Sequence, residues 1–277
     1  MSLPLTWLYV PGDRPDRVPK AMASGADVVI LDLEDAVSAD HKAAARELAL
    51  RVLATPEGPA RAQVRVNAAG TRWFDDDAAM VSGLATSVEA RLPKCEDPDV
   101  VAAAADALGD RGVHLLVESA RGLEAAYDLA RAHPHVAGIG LGEADLRADL
   151  GVTTEEGLAW ARSRIVSAAA AAGLESPAMS VYTDVRDLEG LRRSCLIGRG
   201  LGLVGRAAIH PAQLPVIRSV FSPTPEEVAR AVEVVEAAAS ATAQGAGALA
   251  LADGRFVDEA VVRQARRTLR RAGHPLV

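Results

Sequence analysis

Thiols are scarce in this chain. Cys95 and Cys195 are the only two cysteines in 277 residues, and no CxxC pair occurs. Neither a disulfide framework nor a thiolate zinc site is supported, and a reducing cytoplasm fits best. Long apolar runs are absent too: none approaches about 18 residues, so no membrane-spanning helix is expected. The N-terminus passes from Met1 straight into the strand-like Thr6-Trp7-Leu8-Tyr9-Val10, without a basic n-region or a long apolar h-region, as in a soluble, untargeted protein. Positive charge is the minority, 30 Lys+Arg against 37 Asp+Glu for a net −7. Apart from Arg266, Arg267, Arg270 and Arg271 there is no basic block, which argues against a nucleic-acid partner. The six histidines show no His-x-Glu-x-x-His or similar metal spacing. No internal repeat or heptad pattern appears.

What is present is a recurring unit. At 49% hydrophobic residues the chain can bury a continuous core. Short β-branched apolar runs alternate with Ala-rich amphipathic stretches, the pattern of buried parallel strands joined by crossover helices. Eight runs are expected as strands: Trp7 to Val10, Val28 to Leu33, Gln63 to Asn67, Glu89 to Pro93, His114 to Glu118, Val136 to Leu141, Ala178 to Tyr182 and Leu203 to Ile209. Asp99 to Leu108, Gly122 to Ala132 and Glu155 to Ala172 read as outer helices. The fold class is therefore α/β, a (β/α)8 TIM barrel over residues 1–222. Residues 223–277 form a C-terminal helical extension that packs on the barrel or on a neighbouring subunit. In it Ser222-Pro223-Thr224-Pro225-Glu226-Glu227 opens a helix running to about Gln244, a small-residue loop follows over Gly245 to Gly254, and a last helix carries the arginines. This tail reads as a mobile arm or lid.

The residues after the strands are polar: Asp13-Arg14, Glu34-Asp35, Asn67, Lys94, Glu118, Glu143 with Asp145, Asp184 and His210. A barrel brings all strand ends to one face, where (β/α)8 enzymes place their chemistry. Glu118 and Asp145, one βα unit apart, suit a hard divalent cation; magnesium takes one or two protein carboxylates and leaves positions for water and substrate oxygens. Helix capping or salt bridging is the plainer alternative for both. Arg65 alternates onto the face opposite Val64 and Val66, and a guanidinium there needs an anion. A substrate carboxylate or oxyanion would supply it, as would a structural ion pair with Asp32 or Glu34. Those two acids share a strand face and either add negative charge beside the metal or hold Arg14 and Arg65. Lys94 reads as a charged lysine rather than a Schiff-base amine. Gly200-Leu201-Gly202-Leu203-Val204-Gly205 matches GxGxxG but lies after a helix and before a strand, the reverse of a dinucleotide site. Gly138, Gly140 and Gly142 lack the final spacing.

In motif order the chain resembles the citrate lyase beta-subunit-like proteins of the HpcH/HpaI aldolase superfamily, which include malyl-CoA and citramalyl-CoA lyases. The carriers are Leu8-Tyr9-Val10-Pro11-Gly12-Asp13-Arg14, Asp32-Leu33-Glu34-Asp35, Val64-Arg65-Val66-Asn67, Leu92-Pro93-Lys94, Val117-Glu118-Ser119, Asp145-Leu146-Arg147 and Ile209-His210-Pro211. The resemblance implies a magnesium-dependent carbon–carbon lyase that cleaves or forms a β-hydroxyacyl-CoA such as malyl-CoA, citramalyl-CoA or citryl-CoA by retro-Claisen chemistry. It implies Glu118 and Asp145 as magnesium ligands, and Arg65 on the oxygens of the keto-acid or hydroxy-acid part. Asp258, in Gly254-Arg255-Phe256-Val257-Asp258, is implied as the general acid/base, often delivered to a neighbouring subunit's mouth; it is equally suited to cap the final helix. Arg65, Asp258 and Glu34 thus form the catalytic set, and Arg14, Arg65, Glu118, Ala144, Asp145, Asp35, Lys94 and His210 the substrate-binding set.

A trimer or hexamer is implied, and an acyl carrier protein is an alternative thioester carrier that the basic C-terminal helix would suit. Two departures stand out. Gly142-Glu143-Ala144-Asp145 exchanges Glu and Ala relative to the commoner pattern, and Arg206 replaces a lysine. A CoA-free hydroxy-keto-acid aldolase and a non-catalytic, ligand-binding barrel are the competing readings.

Overall fold

The structure is a computed structural model that describes residues 3–54, 61–243, 249–250 and 255–274. It divides into two compact units, Leu5–Val220 and a C-terminal unit from Phe221 onward. Strands in the first unit are β1 (Thr6–Pro11), β2 (Val28–Asp32), β3 (Arg61–Arg65), β4 (Glu89–Leu92), β5 (Val113–Val117), β6 (Val136–Leu141) and β7 (Arg206–Ala208). They form one parallel, seven-stranded sheet in the order β6-β5-β4-β3-β2-β1-β7. Between them run α1 (Val18–Met22), α2 (Lys42–Leu53), α3 (Phe74–Ser82), α4 (Pro98–Leu108), α5 (Ala120–Glu124), α6 (Ala126–Ala130), α7 (Glu143–Leu150), α8 (Ala159–Ala171) and α9 (Leu188–Gly200), with α10 (Leu214–Phe221) closing the series. No helix among the described residues is long and apolar enough to cross a membrane.

β2 shows why the apolar runs become central strands: all of Val28 to Asp32 is buried. Each such aliphatic side chain contributes roughly 1.5–3 kcal/mol by leaving water. Trp7, Val28, Ile30 and Ala207 cluster on one face with Tyr9, Ala178 and Val181. Helix starts follow local chemistry. Asp97 accepts the Asp99 N–H at 3.0 Å ahead of Pro98, and Gly109 ends α4 at φ 79°. The expected helix over Gly122 to Ala132 is instead the two short helices α5 and α6.

A closed barrel is the expectation that changes. Ala178 to Tyr182 forms no ladder strand and contributes one parallel bridge, Met179 to Arg206. Pro177 has no N–H to extend the pairing, and the link toward β6 is a side-chain contact, the Glu143 N–H donating to Ser180 Oγ at 3.3 Å. The sheet is a curled half-barrel of seven paired strands.

In the C-terminal unit, α11 (Pro225–Ala243) starts with a reciprocal cap. Thr224 N–H donates to Glu227 Oε2 at 2.9 Å, and Glu227 N–H donates to Thr224 Oγ1 at 3.2 Å. It packs on α12 (Glu259–Arg271) through Ala231, Val234 and Val235 against Val262, Ala265 and Leu269, an apolar stripe at helical spacing. Most of the small-residue loop expected over 245–254 lies outside the described residues. Its Leu249–Ala250 forms β8, antiparallel to β9 (Phe256–Val257).

Candidate active site

Sheet register builds the site. Asp32 and Arg65 are direct cross-strand partners, so their side chains meet on one face. Arg65 Nε and Nη2 donate to Asp32 at 2.8 and 2.6 Å. Arg65 Nη1 lies 2.9 Å from Glu34 Oε2 and 3.7 Å from Asp35. Burial opposes the charge, but these acids hold the guanidinium protonated well beyond its ordinary range. The ion pair weighed for Arg65 therefore exists; Arg14, the other arginine considered for these acids, pairs with Asp16 at 3.2 Å instead.

Glu34 and Lys94 extend the cluster. Lys94 is the one non-glycine residue with positive φ (55°) among the described residues, a conformation that costs on the order of 1–3 kcal/mol and concentrates at functional sites. Its ammonium reaches Glu34 at 2.8 Å, Asp145 at 3.4 Å, Glu118 at 3.6 Å and Asp35 at 3.9 Å. Burial would depress its pKa, yet Glu34, Glu118 and Asp35 raise it above the ordinary lysine value. Lys94 is a cation here, not a neutral nucleophile. Burial also raises Glu34, against Arg65 and Lys94. For Glu118, burial and the Glu34 and Asp145 charges outweigh Lys94 and Arg65 and push the carboxyl up to about 7.

Negative charge in this mouth thus exceeds the positive charge supplied. Glu118 and Asp145 both lie within reach of one ammonium, and the raised Glu118 registers the shortfall. These donors fit a divalent cation: two hard carboxylates, one buried and one half-exposed, leave coordination positions for water and substrate oxygens. Among the described residues no three His, Cys, Asp or Glu side chains are arranged to hold a metal by themselves.

Glycine makes room for Glu118. A Cβ on Gly142 would lie 2.3 Å from Glu118 Oε1, so this glycine, just past β6, lets the carboxylate just past β5 sit close to it. At the fingerprint-like segment Gly205 likewise adopts φ 72°, and its Cβ would meet Leu5 O at 2.2 Å; packing explains it.

Not every polar strand end joins the mouth. Asp13 pairs with His41 at 3.0 Å. Asn67 donates to Asp77 and Leu33 and accepts from Lys42. Asp184 accepts the Arg186 and Asp187 N–H groups. His210 caps the turn at Pro211–Gln213, its Nδ1 accepting the Ala212 N–H at 3.1 Å. Glu143 is buried against Arg162, with both oxygens bound at 2.7 Å. In each case a nearer partner satisfies the group. Ala144 is exposed in the first turn of α7, beside Asp145. Asp258, in the other unit, caps α12 by accepting from Ala260 and Val261 at 2.9 and 3.0 Å.

Two supporting residues escaped the sequence reading. Lys42 is buried and donates to the Leu33 and Glu34 carbonyls at 2.6 and 2.7 Å, fixing the end of β2. Arg162 is fully buried behind α7. Both lie on helices, where a lone cation normally reads as a solvated face, so only the partners reveal them.

An acid-rich mouth at the carboxyl ends of a parallel sheet is where α/β enzymes place their chemistry. The chain belongs to the HpcH/HpaI aldolase/citrate lyase family, whose model matches residues 5–211. It is 40% identical over 275 residues to a citrate lyase subunit beta-like protein of Mycobacterium tuberculosis, covering 96% of this chain and 95% of that one. It is 36% identical over 273 residues to a (3S)-malyl-CoA thioesterase of Cereibacter sphaeroides, covering 96% and 93%. Among solved structures it is similar to the protein CitE from M. tuberculosis in complex with magnesium, acetoacetate and coenzyme A, at TM-score 0.79 and 37% identity over 99% of both chains.

Proposed function

We propose that this chain is a magnesium-dependent lyase that cleaves or forms the carbon–carbon bond of a β-hydroxyacyl-CoA such as malyl-CoA, citramalyl-CoA or citryl-CoA. The observation that carries it is the Glu118 and Asp145 carboxylates converging on Lys94 in a mouth short of positive charge. A relative solved with magnesium, acetoacetate and coenzyme A supports the same reading. The half-barrel is read as a (β/α)8 barrel whose seventh strand is reduced to the Met179 bridge.

Glu118 and Asp145 hold the magnesium, which when bound supplies Lewis-acid polarisation of substrate oxygens. Arg65, fixed by Asp32, presents its guanidinium to the keto-acid oxygens, where preorganised charge stabilises what develops as the bond breaks. Glu34 holds Arg65 and Lys94 in place and, next to the reacting oxygens, completes the catalytic set. Lys94, Asp35 and Ala144 border the substrate; Arg14 and His210 would reach it only by leaving Asp16 and the Ala212 N–H that hold them. As the bond breaks the β-hydroxyl loses its proton to become the keto-acid carbonyl and the acyl carbon gains one; Asp258 is the general acid/base proposed to carry that proton, in its own or a neighbouring subunit of a trimer or hexamer. The Glu143 and Ala144 exchange leaves Asp145 in the Lys94 cluster, so it removes no carboxylate from the pair.

The thioesterase relatives favour one second reading, hydrolysis of the thioester in the same mouth. Incubating purified protein and magnesium with malyl-, citramalyl- and citryl-CoA separates the two. Release of a keto acid with the shorter acyl-CoA supports the lyase; free CoA with intact hydroxy acid supports hydrolysis. Inactivity across the panel contradicts both.

A further inference from the structure

The N-terminus of α7 is held from two sides. On one, Gly142 packs against Glu118 and donates its N–H to Val117 O at 2.9 Å. On the other, Arg162 grips Glu143, the first residue of the helix, through two parallel bonds of 2.7 Å from Nε and Nη2. Arg162 is 0% and Glu143 6% exposed. The third guanidinium nitrogen, Nη1, lies 2.9 Å from Glu155 Oε2 in charge contact. Glu155 also accepts from Arg147 at 2.6 Å, one turn further along α7. Asp145 lies between the two tethered residues.

A planar fork that meets a carboxylate with two bonds resists rotation about either partner. A buried ion pair is a weak source of stability compared with apolar side chains of the same volume, so this one earns its place by orientation. Tilting or rotating the first turn of α7 would carry Asp145 relative to Glu118, which rides on the fixed end of β5. Outer partners of this kind set how metal ligands point.

We propose that Arg162 is a positioning residue for the metal site: by clamping Glu143 it holds Asp145 at the separation from Glu118 that a divalent cation requires. The inference rests on the magnesium reading above.

The test uses the full-length protein, magnesium alone as ligand, and two readouts, calorimetric magnesium affinity and thermal unfolding. The double variant E143L/R162M replaces the buried pair with apolar side chains, and R162K keeps the charge without the fork. The double variant is expected to unfold within a few degrees of wild type while binding magnesium about 10–100-fold more weakly. R162K loses less, in the same direction. A folded double variant with wild-type affinity overturns the proposal, and if it does not fold, R162K with wild-type affinity does so. A wild-type protein that binds no magnesium overturns the metal reading and the clamp together, whereas wild-type binding with unaffected variants overturns the clamp alone.

Discussion

Two glutamates on neighbouring strands of one sheet behave in opposite ways. Glu118, just past the end of β5, is pushed up to about 7; Glu89, at the start of β4, is held down to about 2. Burial acts against ionisation in both. Around Glu89 it is outweighed by hydrogen bonds from His114 at 3.1 Å and Gln63 at 3.0 Å and by Arg61 at 3.4 Å. Around Glu118 the neighbours include Glu34 and Asp145, and the nearest cation is shared among four acids. The lower end of the sheet is internally compensated, as a structural cluster should be. The upper end leaves charge unpaired, the signature of a place that awaits something positive.

The largest expected effect breaks the upper cluster. E118Q should abolish turnover of the CoA ester, with a loss beyond the roughly 100-fold seen for partners outside the metal shell; steady-state kinetics with saturating magnesium measures it, and activity near wild type would refute the role of Glu118. Next is G142A. Its Cβ would fall 2.3 Å from Glu118 Oε1, so the carboxylate must shift, at a cost in stability of about 1–3 kcal/mol. Magnesium affinity should fall with it, and thermal unfolding together with calorimetry reads both.

The lower cluster supplies the contrast. E89Q should leave turnover at neutral pH intact and change the acid limb of stability. A carboxyl held near 2 against an ordinary 4.5 contributes stability above pH 4.5 that is lost as pH falls toward 2, on the order of 2–3 kcal/mol in wild type. Burial lowers the His114 pKa, against the hydrogen bond and charge of Glu89. Denaturant unfolding between pH 5 and 2 should therefore slope less steeply in E89Q, and an unchanged slope would remove Glu89 from the account. Smallest of all is R14A: with Arg14 already paired to Asp16, turnover should change little, and a large rise in KM would show that it contacts the substrate.

Much of this was readable from residues in order. Alternating apolar runs located seven paired strands, because burial on both faces demands them. Glu34, Asp35, Lys94, Glu118 and Asp145 were placed together because parallel strands end on one face. The seventh run, Ala178 to Tyr182, failed as a ladder strand because its composition says nothing of which neighbour it can reach. Glu143, Asp184 and His210 look the same in sequence as the mouth residues; partners decided by packing, such as Arg162, separate them. The left-handed backbone of Lys94 has no sequence sign, since lysine ordinarily avoids it.

Magnesium titration calorimetry on wild type, E118Q and D145N tests the central claim most directly. The account predicts a single site in the wild-type protein that is lost or severely weakened in both variants. Absence of binding to wild type, or undiminished binding by both variants, would contradict it.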